Sequence, residues 1–223
     1  MSPLWRSLTK SLTVAVALAA GIFGTAAQAD AASFSFTATD TPIGIPDLAT
    51  INSNITVTTA SFPVGSRVQD MNVTVTITHT FDQDLIISLR HVDTGTTVSL
   101  FNRRGGSGDN LTNVTFNDAA AVSISTFIAP GTNTSYRPES VLSAFNGESL
   151  LGTWRLIVQD AAAADVGTLS SFNINGIATP EPGTWALFGV GGLALLVVVR
   201  RRRRAYRALS ASASRGDGGC AAT

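Results

Sequence analysis

The sequence has very few cysteine and histidine residues, which bind metals through sulfur and serve as catalytic bases. Its 223 residues include one cysteine, Cys220, and two histidines, His79 and His91. A single cysteine excludes an intramolecular disulfide and any zinc or iron–sulfur site built on several cysteines. Charged residues are also scarce, at 13%, while 44% of the residues are hydrophobic, which argues against a chain that is disordered throughout.

Basic residues are rare in the middle of the chain, although the formal net charge of the whole sequence is zero. Residues 30–179 hold six arginines against 13 acidic residues, a net charge of −7. Nucleic-acid binding needs a cationic surface on the folded part, so this distribution argues against a nucleic-acid partner. The basic residues at the two ends each border an apolar run instead, as in membrane-targeting segments.

The first 29 residues have the three parts of a secretory signal peptide. Arg6 and Lys10 give a positive start, an apolar stretch follows over residues 12–23, and Ala27-Gln28-Ala29 supplies the small-x-small cleavage pattern. The apolar stretch is short for a membrane span, which favours cleavage over an uncleaved anchor. We therefore expect signal peptidase to cut after Ala29, so that the rest of the chain is exported.

Residues 33–177 have the pattern of short β-strands separated by turn residues. From Met71 to Thr78 apolar and polar residues alternate, which predicts a strand that buries Met71, Val73, Val75 and Ile77. The turn at residues 93–95 predicts a hairpin between strands at 85–89 and 97–101. Further strands are expected at 34–37, 55–58, 114–116, 122–127, 154–159 and 169–177. So many short strands predict an all-β fold, a jelly-roll β-sandwich.

The character of the sequence changes after Ile177. The triplet Pro180-Glu181-Pro182 cannot continue a central strand, because two prolines remove backbone donors. Residues 185–199 carry no charge, and Arg200, Arg201, Arg202, Arg203 and Arg204 follow them. As a helix this apolar run would be about 22 Å long, against a hydrocarbon core of ~30 Å. We expect a short transmembrane helix that anchors the chain transiently in the inner membrane, with the arginines on the cytoplasmic side.

Residues 179–204 resemble the PEP-CTERM domain of Gram-negative bacteria, which has a Pro-Glu-Pro triplet, a short apolar helix and an arginine cluster in this order. The resemblance implies that exosortase, an integral-membrane transpeptidase-like enzyme, recognises the segment. It also implies that the protein is passed on to the cell surface or the exopolysaccharide layer. The family usually ends at the arginines, whereas residues 205–223 follow them here, and we expect these residues to be a disordered extension.

A second resemblance covers about residues 68–177. The segments that carry it are ITHTF (77–81), DLIISL (84–89), GTTVSL (95–100), GGSGDNL (105–111), YRPE (136–139), GTWRL (152–156) and DVGTL (165–169). In this order they are similar to the P/Homo B domain, a β jelly roll that usually follows a subtilisin-like protease domain and stabilises it. Residues 30–66 are too few for such a protease domain. We expect them to form strands that lead into a P/Homo B-like jelly roll over residues 67–178.

Two sets of residues are candidates for chemistry. Calcium prefers six to eight oxygen ligands, and acidic residues cluster at the expected turns. Asp109 with Asp118, and Asp160 with Asp165, are therefore candidate calcium ligands; the alternative is that each carboxylate caps its own turn. The two histidines lie at expected strand ends, away from any Gly-x-Ser-x-Gly or other nucleophile motif, which predicts that there is no catalytic triad.

These observations predict a non-catalytic protein of the cell surface or extracellular matrix of a Gram-negative bacterium. Exopolysaccharide or another surface protein is the expected partner of its jelly roll. One alternative is an accessory P domain for a separately encoded subtilisin-like serine protease. Another is a carbohydrate-binding module that uses the aromatic residues Trp154, Phe145, Phe172 and Tyr136. Strand parity, however, groups Trp154 with Leu156 and Val158 in the core.

Overall fold

The computed structural model describes residues 31–179 and 195–202. In the first range the chain forms eleven β-strands and three short 3₁₀ helices, and residues 31–179 belong to one compact unit. The strands are β1 (Ala32–Thr37), β2 (Ile43–Ile45), β3 (Thr50–Val57), β4 (Arg67–His79), β5 (Leu85–His91), β6 (Thr97–Asn102), β7 (Leu111–Phe116), β8 (Gly131–Thr132), β9 (Ser135–Tyr136), β10 (Gly152–Asp160) and β11 (Gly167–Thr179). The 3₁₀ helices are Asp82–Asp84, Ile124–Thr126 and Leu142–Phe145.

The strands form two sheets. The larger sheet has the order β1-β11-β4-β7-β8, with β2 also paired to β11 and β9 to β7, and the smaller sheet has the order β3-β10-β5-β6. Pairing is antiparallel except where β8 and β9 join β7. The inner faces of the two sheets share one hydrophobic core, so the predicted jelly-roll β-sandwich is confirmed.

The alternation of residues along β4 places this strand in the core. Met71, Val73, Val75 and Ile77 are each at most 2% exposed, while the polar residues between them are half-buried on the outer face. A strand with a period of two buries every second side chain, and this period is readable from the sequence. The predicted burial of these four residues is confirmed, as is the predicted hairpin of β5 with β6.

Trp154 of β10 is also part of the core. The residue is fully buried, its indole N–H donates to the carbonyl oxygen of Leu150 at 2.9 Å, and the ring of Phe145 meets it edge-on. A buried indole needs a hydrogen-bond acceptor, and the Leu150 carbonyl supplies it. Phe145 and Phe172 are fully buried and Tyr136 is half-buried, so the interpretation of Trp154 as a core residue is confirmed.

The predicted strand over residues 122–127 is wrong. Ile124–Thr126 is a 3₁₀ helix, and the hydroxyl of Ser123 accepts a hydrogen bond from the backbone N–H of Ser125 at 3.3 Å. Serine and threonine compete for backbone groups in this way, which disfavours a strand ladder. The strands β2, β8 and β9 have two or three residues each and are too short to show a period in the sequence.

The N-terminal strands complete the edges of both sheets. β1 pairs with β11 over residues 32–37, and β3 pairs with β10 over residues 50–57. The carboxylate of Asp40 connects the two sheets locally, because it accepts hydrogen bonds from the Ser53 hydroxyl at 2.5 Å and the Asn54 backbone N–H at 2.8 Å. Residues 32–57 therefore contribute β1 and β2 to the larger sheet and β3 to the smaller sheet.

The close approach of β11 to β4 generates a prediction on stability. A Cβ on Gly176 would overlap the backbone carbonyl of Asp70, whereas a Cβ on Gly44 of β2 would meet nothing within 4 Å. Gly176→Ala should lower the free energy of unfolding by about 1–3 kcal/mol, since the backbone must move, and lower Tm by several degrees. Gly44→Ala is the matched control and should stay within about 0.5 kcal/mol. Thermal unfolding followed by circular dichroism measures both, and equal Tm values for the two variants would refute the close approach.

Candidate functional site

Four strand ends meet at one end of the sandwich. β4 ends at His79, which pairs with Gly167 at the start of β11, and β10 ends at Asp160, which pairs with Leu85 at the start of β5. The turn Asp82–Asp84 and the loop of residues 161–166 lie at this end. A hydrogen bond of 2.8 Å from the backbone N–H of Ala161 to the carbonyl oxygen of Asp84 joins the turn and the loop. Polar residues of both segments therefore come together.

Three carboxylates are buried at this end. The exposed fractions of Asp82, Asp84 and Asp160 are 0%, 5% and 1%. Oδ1 of Asp82 accepts from the backbone N–H of Asn110 at 3.0 Å, and Oδ1 of Asp160 accepts from that of Ala162 at 3.2 Å. The second oxygen of each of these two carboxylates is buried without a hydrogen-bond donor. An ionised carboxylate that is buried and unpaired is strongly destabilising, so this arrangement is unusual for a purely structural turn.

His79 and Arg103 are the basic groups in contact with these carboxylates. Nε2 of the buried His79 ring lies 3.4 Å from Oδ2 of Asp160, and its Nδ1 lies 2.9 Å from the carbonyl oxygen of Phe81. The Arg103 guanidinium lies 4.0 Å from Asp84, but its side chain is 47% exposed. A partly exposed cation at this distance is screened by water and neutralises little of the buried charge.

Burial changes the ionisation of two of these carboxyls. Desolvation raises the pKa of Asp82 to about 7, although the hydrogen bond from Asn110 and the nearby His79 act in the opposite direction. The pKa of Asp84 is also raised, first by burial and then by the negative charges of Asp160 and Asp165. Both shifts have the direction expected for like charges crowded together in a poorly solvated place.

A cleft of about 260 Å³ opens beside the buried carboxylates. Its lining includes His79, Asp109, Asn110, Val166 and Gly167. A Cβ on Gly167 would come within 2.6 Å of the His79 ring, so glycine at this position lets β11 pass close to that ring. The cleft is small, and most of its lining residues are polar.

The four aspartates that the sequence suggested as calcium ligands have different partners in the structure. Asp160 belongs to the buried group, Asp165 accepts from the Thr80 hydroxyl at 2.6 Å, and Asp109 lines the cleft. Asp118 caps the 3₁₀ helix Leu142–Phe145, because its carboxylate accepts from the backbone N–H groups of Leu142 and Ser143 at 2.8 Å each. Within residues 31–179 and 195–202, no three His, Cys, Asp or Glu side chains converge as a complete set of metal ligands.

The sequence alone does not single out Asp82 and Asp84. Both residues lie in a turn between two strands, and a turn aspartate in a sequence is usually solvated. Asp82 bonds Gly108 and Asn110, and Asp84 bonds Ala161, so their surroundings depend on segments that follow much later in the chain. The one local signal is position, since Asp84 immediately precedes the buried strand that begins at Leu85.

His91 lies in a separate polar network at the other end of β5. The ring is fully buried, stacks on Trp154 with ring centroids 4.1 Å apart, and places Nδ1 2.9 Å from the carboxylate of Glu148. The hydroxyl of Thr94 also donates to Glu148, at 2.8 Å. Burial opposes ionisation of Glu148, but hydrogen bonds from Thr96, His91 and Thr94 outweigh it and lower its pKa. This network attaches the β5–β6 turn to the loop that precedes β10.

The outer face of the larger sheet is uncharged over its central part. Most outward side chains on four adjacent strands are Ser, Thr or Asn, and Ile177 and Asp70 lie at the end of this surface, in the row of Ser33. We call the Ser, Thr and Asn side chains the polar face: Ser33, Ser35, Thr37, Ser171, Asn173, Asn175, Asn72, Thr74, Thr76, Thr78, Asn113 and Thr115. Strand register aligns them in rows. One row runs across Thr37, Asn173, Thr74 and Thr115.

Hydrogen bonds between neighbouring side chains order the polar face. The amide of Asn173 donates to the hydroxyl of Thr37 at 2.9 Å and to that of Ser35 at 3.2 Å. The amide of Asn175 donates to Asn173 at 3.1 Å, and the hydroxyls of Thr74 and Thr115 lie 2.9 Å apart. Side chains held by each other lose little further freedom when a ligand binds.

The candidate processing residues lie mostly outside the described residues. Ala27, Ala29, Pro180, Glu181, Pro182, Arg203 and Arg204 are not described, and neither is most of the apolar run. Residues 195–202, which include Arg200, Arg201 and Arg202, are helical and exposed. Among the residues that the structure describes, none of the helices has both the length and the apolar character needed to cross a bilayer.

Comparisons with known proteins identify two parts of the chain. Residues 68–176 match the proprotein convertase P-domain, and residues 178–204 match the PEP-CTERM protein-sorting motif. Leupeptin-inactivating enzyme 1 of Streptomyces exfoliatus is 32% identical over 134 residues, which cover 59% of this chain and 24% of the enzyme.

Two solved structures of an Aeromonas sobria serine protease are also similar. The protease alone has a TM-score of 0.40 and 17% identity, and its complex with a chaperone has a TM-score of 0.36 and 20% identity. The matches cover 67% and 69% of this chain and 27% of each protease chain. The chain thus spans about a quarter of the length of these relatives. It carries a proprotein convertase P-domain, and a PEP-CTERM protein-sorting motif follows that domain directly.

Proposed function

We propose that this protein is a non-catalytic component of the cell surface or extracellular matrix. Exosortase processes its sorting motif, and its P-domain acts as a binding or scaffold module. The observation that carries the proposal is the adjacency of the two parts: the last strand, β11, ends at Thr179, and the sorting motif begins at residue 178. A module joined in this way to a sorting motif is suited to display outside the cell.

The surroundings of the two histidines support a non-catalytic role. A general base must reach a nucleophile and accept its proton. His91 is buried under Trp154, and the nearby Thr94 hydroxyl donates its hydrogen to Glu148 instead. His79 faces the carboxylate of Asp160, and its other ring nitrogen lies against the carbonyl oxygen of Phe81. Neither ring is oriented by a carboxylate towards an exposed hydroxyl in the described part of the chain.

The alternative is that the module assists a separately encoded subtilisin-like protease. The leupeptin-inactivating enzyme and the serine protease that match this chain are consistent with a domain that occurs alongside hydrolases. Each match, however, covers only about a quarter of the matched protein. A protease partner would co-purify with the secreted protein from its own culture. Recovery of surface polysaccharide or matrix proteins in that experiment favours the proposal above.

The first prediction from the proposed function concerns catalysis. The purified full chain should hydrolyse neither casein nor short peptide esters, because the hydroxyl that contacts His91 in the described residues, that of Thr94, donates its hydrogen to Glu148 and is not activated by the ring. Trypsin at equal concentration is the positive control. Cleavage that a serine-directed reagent abolishes, and that is lost in His79→Ala or His91→Ala, would contradict the proposal; trace cleavage unchanged in both variants would indicate a contaminant.

The second prediction concerns processing at the C-terminus. In cells that have exosortase, the mature protein should extend from Asp30 to within a few residues of Glu181. The Pro-Glu-Pro triplet follows β11 in the sequence, and proline disfavours both the helix interior and a central strand. Mass spectrometry of surface material measures both ends. Replacing Pro180, Glu181 and Pro182 by alanine should leave the chain uncut, and Thr184→Ala is the matched control.

Recovery of a mature surface protein that still contains the arginine cluster would overturn this part of the proposal. So would normal processing of the triple-alanine variant. Either result would leave the P-domain without the sorting route proposed here.

A second candidate function is binding of a neutral carbohydrate, and the polar face favours it. Sugar hydroxyls pair well with amide and hydroxyl side chains, and this surface offers both in aligned rows. The face lacks the aromatic and arginine anchors that characterise protein interfaces. It also lacks the cationic side chains that nucleic acids or anionic polymers require. A neutral, hydroxyl-rich polymer is the partner chemistry that remains.

The third prediction tests this candidate with a pair of isosteric changes. Asn173→Asp removes the two donated hydrogen bonds and adds a charge at the centre of the polar face. It should weaken binding to neutral exopolysaccharide from the protein's own culture by about 3–10-fold in affinity electrophoresis. Asn54→Asp on the smaller sheet, beside Arg155, is the matched control and should bind normally. Equal mobility of both variants in the polysaccharide gel would refute the role of the polar face.

A further inference from the structure

The edges of the two sheets differ in how they are protected. On the edge of β3, the carboxylate of Asp40 accepts a hydrogen bond from the backbone N–H of Asn54 and adds a negative charge. Residues 139–140 cover β6, because their backbone N–H groups donate to its carbonyl oxygens. At the far side of the larger sheet, β8 and β9 have only two residues each. The remaining long edge is that of β1, which pairs with β11 on one side alone among the described strands.

The register of β1 shows which of its backbone groups face outward. The backbone N–H of Ala38 donates to the carbonyl oxygen of Phe172 at 2.9 Å, next to the last pair of the β1–β11 ladder. Hydrogen-bonded and non-hydrogen-bonded pairs alternate along an antiparallel ladder. The N–H and C=O groups of every second residue therefore point away from β11, at Ser33, Ser35 and Thr37. No described residue forms a hydrogen bond with these backbone groups.

The edge of β1 lacks the features that normally prevent strands from pairing between molecules. Natural sheet edges carry charged residues, prolines or bulges, or are very short. Residues 31–39 include no charged residue, no proline and no glycine. Six consecutive residues of β1 pair with β11 without a shift in register. This edge is thus a regular, uncharged template for one more strand.

Apolar side chains lie beside the free edge. Phe34 and Phe36 are on the inner face of β1, and the ring of Phe62, from the loop of residues 58–66, meets that of Phe36 edge-on at 6.5 Å. Phe36 and Phe62 are only half-buried, and Val64 in the same loop is 75% exposed. The loop carries no charge. Pairing along β1 would remove part of this apolar surface from water.

We propose that β1 pairs with β1 of a second copy of this chain, in antiparallel orientation about a two-fold axis at Ser35. In this register Ser35 lies opposite its counterpart, and Ser33 lies opposite Thr37 of the second copy. The outward N–H groups of each copy then meet outward carbonyl oxygens of the other. Such a contact uses the same surface on both copies and closes on itself, so it yields a dimer and not a fibre.

Charge favours a second copy as the occupant of this edge. Residues 30–179 have a net charge of −7, so two copies repel each other over most of their surface. Residues 31–39 and 55–66 are uncharged, and contact along them brings no like charges together. A second copy also brings an unpaired edge of equal length, which a folded partner of another kind would have to supply. A six-residue ladder with a few apolar side chains is a small interface, so we expect a reversible dimer.

The dimer would enlarge the polar face. Pairing at β1 joins two seven-stranded sheets edge to edge. The outward side chains of Ser33, Ser35 and Thr37 would then lie beside those of the second copy, so that the two polar faces become one surface. Self-association is independent of the ligand of that surface and of exosortase processing.

The test is sedimentation of the full chain in mild detergent over a dilution series. The parent protein should show a reversible equilibrium between monomer and dimer. Ser35→Lys should raise the Kd of the dimer at least about tenfold, because it places like charges opposite each other on the edge. Thr78→Lys is the matched control, since it adds the same charge to the polar face two strands away from β1, and it should keep the Kd of the parent.

Ser35→Pro provides a second edge variant. It removes an N–H that points away from β11, so the ladder within the molecule keeps its hydrogen bonds while the contact between copies loses two. Circular dichroism should show both edge variants folded. A parent protein that is monomeric at every concentration would overturn the proposal. So would a Kd that is unchanged in both edge variants, or one that rises equally in Thr78→Lys.

Disulfide formation locates the two-fold axis. In a Cys220→Ser background, Ser35→Cys should cross-link two copies under mild oxidation, because Cα atoms of a hydrogen-bonded pair are about 5.5 Å apart and a disulfide spans that distance. Thr78→Cys places a thiol at an exposed position on the same face and should not cross-link efficiently. Equal yields of the cross-linked dimer from the two variants would refute the proposed register.

Discussion

The position of β11 between β1 and β4 is the constraint on which the sandwich depends. The last strand of the chain is a central strand of the larger sheet, and it pairs with β1, β2 and β4 along its length. The larger sheet is complete only when β11, up to residue 179, is paired with its neighbours. Any processed form must therefore retain the whole of this strand. Pro180 and Pro182 follow immediately and lack the amide hydrogens that further pairing would need. The boundary between folded module and sorting motif is therefore set by backbone chemistry.

The same pairing explains why carboxylates are buried at one end of the sandwich. Gly167 pairs with His79 while Asp160 pairs with Leu85, so the loop between β10 and β11 must pass from one sheet to the other across that end. In doing so it contacts the turn at Asp84, whose carbonyl oxygen accepts a hydrogen bond from the backbone N–H of Ala161, while Asp82 bonds Gly108 and Asn110. Glycine at position 167 permits the close passage, because a larger residue would collide with the His79 ring. Burial of the charges thus follows from topology and is not a property of the turn itself.

The sequence predicts the features that are local and misses those that depend on distant segments. Strict alternation reveals the buried face of β4, and the turn at 93–95 reveals the β5–β6 hairpin, because both signals lie within a few residues. The expected strand at 122–127 fails because serine side chains bond their own backbone there. Asp118 looks like a free ligand in sequence, but its partners, Leu142 and Ser143, lie 24 and 25 residues away. A carboxylate's environment cannot be read without knowing such long-range partners.

Charge is distributed over the module so that one broad surface stays neutral. The net charge of −7 in residues 30–179 arises from side chains that lie chiefly in turns and at strand ends, such as Asp47, Asp93 and Asp109. The polar face of the larger sheet carries none of it. A neutral polymer can therefore approach the face without crossing a repulsive field, while an anionic polymer is repelled by the module as a whole. Because the side chains of the face already bond one another, they lose little conformational entropy when a polymer binds. Selectivity then comes more from the exclusion of charged polymers than from strong individual contacts.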